Sequence, residues 1–200
     1  MRIAVVMLML VLFPVSACGE TDGAVLTEEY SPLTQGEKFQ FYLKSTADPV
    51  SIFAGAFSAG YNQAIDSVPE WEQGMEGYGK RYASSLGRKT IDTTVRHSLK
   101  ILLREDPRYF YSGRQGIRVR TLHAIGETFI AHKDSGGTRP DYSGFAGIAS
   151  SVYLSRQWHP ESYRTAGNYI QGAAVSIGIQ SAKNVFMEFW PDIQKKFLNR

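Results

Sequence analysis

Four residues of metal-binding type crowd one short stretch: His123, Glu127, His132 and Asp134. His123 and Glu127 stand four apart and share a face if the stretch is helical. His132 comes nine residues after His123, about 180° around a helix at ~100° per residue, so the imidazoles point apart unless the helix ends between them. The chain holds one cysteine and no HExxH pair, which leaves His123, Glu127 and His132 as the metal candidates and a hydrolase or metal enzyme as the chemistry they would serve. His97 and His159 read as surface or capping residues. A second constellation is electrostatic. Nine basic residues against three acidic ones fall between Arg88 and Arg120. Arg96, Lys100 and Arg104 follow at four-residue steps, continued by Arg108 and Arg114 beside Tyr109, Phe110 and Tyr111. Basic charge with interleaved aromatics suits anionic lipid headgroups, an anionic envelope polymer or a protein partner.

Two serine motifs complete the chemical inventory. Asp134-Ser135-Gly136-Gly137 is similar to the nucleophile segment of chymotrypsin-like proteases, whose site needs a histidine base and a buried acid built on β-barrels. Lys133 and Thr138 stand where that segment has glycine and proline, and the stretch reads as a turn. Ala56-Phe57-Ser58-Ala59-Gly60 is a variant of the nucleophile elbow, which requires a strand, a sharp turn and a helix. Here the serine falls inside a helical pattern. No catalytic residue and no cofactor is assigned on these grounds.

Arg2 precedes an unbroken apolar run, Ile3 to Phe13, followed by Pro14, Ser16 and Ala17. A positive head, a short apolar core and a small-residue exit make an export signal over residues 1–17. The run is too short for a spanning helix, which needs ~20 apolar residues. Val15-Ser16-Ala17-Cys18 resembles the bacterial lipobox, which implies acylation of Cys18 and a membrane tether. Cleavage after Ala17 without acylation is the alternative. Gly19 is not the aspartate that retains some lipoproteins in the inner membrane, so the expected address is the periplasmic side of the cell envelope, at the outer membrane. Export also removes nucleic acid as a partner.

Residues 18–33 are small and polar and read as a flexible tether. Residues 34–200 are the right length for one domain. Thr34 and Glu37 fit a capping box for a helix to about Thr46. Asp48-Pro49 starts the next, with Phe53, Phe57, Tyr61 and Ile65 along one side and Gly55, Ala59 and other small residues suited to close helix packing on the rest. A segment from Pro69 is weakened by Gly74, Gly77 and Gly79, and is either broken or packed against another backbone. Gly87 reads as a stop. Thr90 to Arg104 is amphipathic, with Ile91, Val95, Leu99 and Leu102 on one face and the charged stripe on another. Ile117 to Lys133 reads as a helix with Leu122 and Ile125 inward, although Ile117 to Arg120 alternates like a strand. Asp134 to Asp141 is a turn-rich loop. A helix follows around Phe145 to Tyr153, and the longest runs from about Thr165 to Trp190, kinked or restarted at Pro191. The expected class is all-α: a single compact multi-helix domain.

Pro69 to Met75, Asp106 to Phe110 and Glu188 to Ile193 together resemble a group of uncharacterised exported bacterial proteins. That resemblance implies export and helical content and brings no activity. The functional expectation is a non-enzymatic cell-envelope lipoprotein, held at a membrane by Cys18 and touching membrane or partner through Arg96, Lys100, Arg104, Arg108 and Arg114. The alternative is a helical bundle that binds a small apolar ligand or lipid.

Overall fold

The computed structural model describes residues 31–197; the export signal, Cys18 and most of the tether lie outside the described residues. The capping box forms as the sequence requires. The Glu37 amide donates to Thr34 Oγ1 at 3.3 Å and the Thr34 amide donates to Glu37 Oε2 at 2.8 Å, opening α1 (Gln35–Thr46). Asp48 caps α2 (Pro49–Ala64) by accepting from the Ser51 amide and hydroxyl. A 3-10 turn at Pro69–Trp71 leads into α3 (Gly74–Leu102).

α3 runs straight through Gly77, Gly79 and Gly87, correcting the expected stop at Gly87. The reason lies in what faces the glycines. A β-carbon at Gly77 would sit 2.7 Å from the Trp71 carbonyl oxygen, and one at Gly87 would sit 3.6 Å from the Trp158 ring. These glycines admit a neighbour; they do not end a helix.

After α3 the chain makes a short strand β1 (Glu105–Asp106), then α4 (Ile117–Gly126), β2 (Ile130–Lys133) and β3 (Thr138–Pro140). The expected helix to Lys133 therefore ends seven residues early. Ile130 to Lys133 pairs antiparallel with both neighbours, in the register Asp106 to His132 and His132 to Thr138. The β2–β3 turn uses Gly136 and Gly137 at φ 87° and 79°, a backbone region open to glycine. Asp141 caps α5 (Tyr142–Ser155), accepting from the Gly144 amide at 2.9 Å. α6 (Ala166–Phe197) continues through Pro191 without restarting.

Among the described residues, six α-helices, three 3-10 turns and one small three-stranded sheet make an all-α architecture in a single unit from Pro32 onward. α3 is central: α1, α2 and α5 pack on it, and α6 packs on α4 and α5. α5 lies closest to α3, because a β-carbon at Gly147 would fall 2.9 Å from the Asp92 carbonyl oxygen. Among the described residues no helix is long and apolar enough to cross a membrane.

Polarity is distributed the wrong way round for a water-soluble bundle. The buried apolar residues are few and small: Ala59, Val68, Ala124, Ala131, Ile148 and Val152. The largest fully buried side chains include Glu105 and Glu188. Phe53 and Phe57, by contrast, are 75% and 79% exposed, and Met75, Leu102, Ile117 and Leu122 also face outward. Leu122 and Ile125 were expected inside; Ala124 takes their place.

Candidate functional site

The charged stripe of α3 turns toward the interior. Arg88, Lys89, Asp92, Arg96, His97 and Lys100 line a cavity of about 590 Å³. α2 contributes Ser51, Gly55, Ser58 and Asn62 to its wall, and α6 contributes Ser176, Gln180, Lys183 and Asn184. The small side of α2 that permits close approach to α3 is thus also the polar side: a β-carbon at Gly55 would lie 3.5 Å from Ser85 Oγ.

Of the five residues expected to make one basic face, Arg96 and Lys100 are directed inward and paired. Arg96 meets Asp92 at 3.1 Å and Asp141 at 3.5 Å. Lys100 lies 3.8 Å from both Glu105 and Asp141. Arg108 closes onto its near neighbour Asp106 at 2.6 Å. Arg104, at φ 53°, and Arg114 are exposed. The five do not form a single outward surface.

The metal candidates do converge, because α4 ends at Gly126 before His132. Glu127 accepts from or faces both imidazoles, with His132 Nε2 at 2.8 Å and His123 Nε2 at 3.9 Å. His123 Nε2 also lies 3.0 Å from the Phe110 carbonyl oxygen, and His132 stacks on the Phe110 ring at 3.9 Å. Each group already has a protein partner, and no set of three ligating residues suited to a metal ion occurs among the described residues. The arrangement works as a clasp that ties the aromatic loop to the β2 strand. Ser135 sits exposed in the hairpin turn and Ser58 sits mid-helix, so neither serine motif acquires a base.

Two features carry no signal in spacing alone. The first is Glu188 on α6, 1% exposed. It accepts from the Tyr109 hydroxyl (2.9 Å), the Ser112 hydroxyl (2.6 Å) and Arg120 Nε (3.0 Å). Burial raises its carboxyl, but the hydrogen bonds from Ser112, Arg120 and Tyr109 outweigh it and leave the group below the usual glutamate range. Burial first, then Glu188, pushes the Tyr109 phenol well above its ordinary value. The second is His97, 8% exposed, whose two ring nitrogens have no hydrogen-bond partner. Phe41 and Tyr42 grip its ring edge-on at 5.7 and 5.8 Å. Burial, then Lys100, Arg96 and Lys183, depresses its pKa to about 4, so the imidazole is neutral at pH 7.

Geometry is the whole basis for a functional reading, since no protein-family model, no curated protein and no solved structure matches this chain.

Proposed function

We propose that this chain is a cell-envelope lipoprotein, tethered through Cys18, that seats its apolar outer helix faces against a bilayer and acts by binding, not by catalysis. The observation that supports the reading is the inverted polarity: charge is gathered inside while Phe53, Phe57 and Tyr61, one turn apart on α2, stand 75%, 79% and 58% exposed. Exposed apolar stripes of this kind mark a surface that water does not normally cover. The tether is consistent with such seating. Twelve residues lie between Cys18 and Ser31, thirteen steps with a reach of up to ~45 Å at ~3.5 Å per step. Interfacial seating also fits helices that are amphipathic and not spanning.

This revises the expected mode of contact. With Arg96 and Lys100 engaged inside, contact rests on apolar area and is insensitive to salt. The test has two arms. Cells fed labelled palmitate should label the wild-type chain and not Cys18→Ser. The purified chain of residues 19–200, without the apolar run and the lipid, should float with neutral phosphatidylcholine vesicles equally in 0.1 and 0.5 M salt. A wild-type chain that takes up no palmitate, or a chain that stays at the bottom of the gradient, overturns the reading.

A further inference from the structure

We propose that the cavity bounded by α2, α3 and α6 binds a small phosphate monoester, held by Arg88, Lys89 and Lys183 beside the imidazole of His97. The inference rests on a charge inventory of the cavity wall. Its carboxylates are all engaged: Asp92 and Asp141 by Arg96, Asp106 by Arg108, and Glu127 by His132. Three of its cations, Arg88, Lys89 and Lys183, have no carboxylate in an ion pair with them among the described residues. Arg88 gives one nitrogen, Nη2, to the Gly172 carbonyl and the Ser176 hydroxyl, both at 2.6 Å. Lys89 makes a single long bond of 3.3 Å to the Thr46 carbonyl. Lys183 makes no hydrogen bond, and none of the three forms an ion pair, among the described residues.

Unpaired cations in a confined space repel one another and lose hydration. Both effects are visible here. Burial is the first cause that holds Arg88, Lys89 and Lys183 below their ordinary values; Arg156 adds to it on Arg88, Lys183 on Lys89 and Arg96 on Lys183, while Asp92 and Asp48 oppose the shift without cancelling it. Lys183 is exposed to solvent although it lines the cavity, so an incoming anion can reach it. An anion in the cavity that all three line eases the repulsion between Lys89 and Lys183 and supplies acceptors they lack.

His97 is the independent sign. A buried imidazole with both nitrogens unpartnered is uncommon in a folded protein, where buried polar groups find hydrogen-bond partners. It lines the same cavity, and as a neutral ring it offers one N–H donor and one acceptor. A dianionic phosphate uses three cationic groups better than a single carboxylate does, since it presents three oxygens and two charges to one guanidinium fork and two ammonium groups. A volume of about 590 Å³ exceeds what phosphate alone fills and lies within the range of small-ligand sites. Leu86, Ile148, Val175, Ile179 and Met187 line the remainder, so the organic part of the ester meets apolar wall. The phosphate can come from a soluble ester or from a phospholipid headgroup, and the two sources share this chemistry.

The experiment is a calorimetric titration of the full-length chain in neutral detergent, with glycerol 3-phosphate in one arm and dihexanoyl phosphatidic acid below its micelle concentration in the other. The expected result is saturable one-to-one binding of at least one probe. Stronger binding of the short-chain lipid assigns a bilayer source, and equal or stronger binding of glycerol 3-phosphate assigns a soluble one. Lys183→Gln removes a charge from a side chain that holds nothing together, so it should keep the wild-type melting temperature and weaken binding tenfold or more. Arg104→Gln, outside the cavity, should bind as wild type does. No binding of either probe below about 1 mM, or binding unchanged in both Lys183→Gln and Arg88→Gln, overturns the proposal.

Discussion

The double substitution Phe53→Ser/Phe57→Ser probes the exterior of α2 directly. A phenylalanine presents about 200 Å², and these two are 75% and 79% exposed, so roughly 150 Å² of each faces away from the protein. If bilayer seating removes half of that from water, ~25 cal/mol per Å² gives about 2 kcal/mol for each ring, or ~4 kcal/mol for the pair. Each 1.4 kcal/mol is tenfold, so partition onto vesicles should fall on the order of a thousandfold. Serine and phenylalanine have similar helix propensities, and the rings touch little else, so the melting temperature should hold or rise. The assay is flotation of residues 19–200 with neutral phosphatidylcholine vesicles, where neither acyl chain nor apolar signal masks the loss, with a thermal melt in parallel. Unchanged partition refutes membrane seating through α2. A melting temperature lowered by ten degrees or more refutes the orientation of the helix itself, because it would mean that the rings are core.

Three further outcomes follow from the interior. Glu188→Gln keeps the shape but strands Arg120 and part of the Ser112–Tyr109 network; removing one partner of a buried pair costs about 3–5 kcal/mol, which calorimetry should register as a fall of roughly 10 °C. Because folding lowers the Glu188 pKa, its contribution is present above the ordinary value of 4.5 and is lost as pH drops below it, so wild type should lose stability there and Glu188→Gln should not. His97 has the opposite chemistry and the same direction. With a folded pKa of about 4 against 6.5 when free, its neutral form must take up a proton on unfolding, and stability of about 3 kcal/mol should disappear as pH falls from 6.5 to 4; His97→Leu should flatten that limb of the urea-denaturation profile. Finally, Gly79→Ala should stabilise α3 by ~1 kcal/mol, since open space faces that position, whereas Gly77→Ala drives a methyl into the Trp71 carbonyl and Arg81 Nη1 and should unfold the α2–α3 turn in limited proteolysis.

Local chemistry of the chain was legible wherever short-range physics decides. Thr34 and Asp48 each open a helix by accepting a backbone amide on the side chain, and such bonds need no tertiary partner; Asp141, which does the same for α5, reads in sequence only as the end of a turn. The end of α4 was not legible. Residues 127–133 carry a helical pattern as good as a strand pattern, and their fate is set by Glu105 and Asp106, more than twenty residues away, which supply the pairing edge. The convergence of His123 and His132 on Glu127 follows from that one change in secondary structure. Glu188 and Lys183 had no motif to announce them. The partners of Glu188 come from the aromatic loop and α4, and the cavity wall that Lys183 joins comes from α2 and α3, and only the fold brings these together.

Which stripe of an amphipathic helix faces inward is a separate matter, and here the usual rule fails. Hydrophobic periodicity defines two faces without saying what covers either one. The rule that the apolar face is internal assumes water outside. On α3 the stripe of Arg88, Asp92, Arg96 and Lys100 lines the cavity, and on α2 the aromatic stripe points away from α3. A better guide is the position of the smallest residues. Gly55 and Ala59 on α2, and Ser143, Gly144, Gly147, Ser151 and Ser155 on α5, are buried, with Ile148 and Val152 beside them, because backbone contact between helices demands the absence of bulk whatever the solvent. On α2 Ser51, Ser58 and Asn62 flank that small stripe and Phe53, Phe57 and Tyr61 stand exposed, whereas on α5 Ile148 and Val152 are buried beside it. Read by size and not by polarity, the chain places its ion pairs and its cationic cavity inside and its aromatic surface outside, and the two proposals made above are the separate consequences of that single inversion.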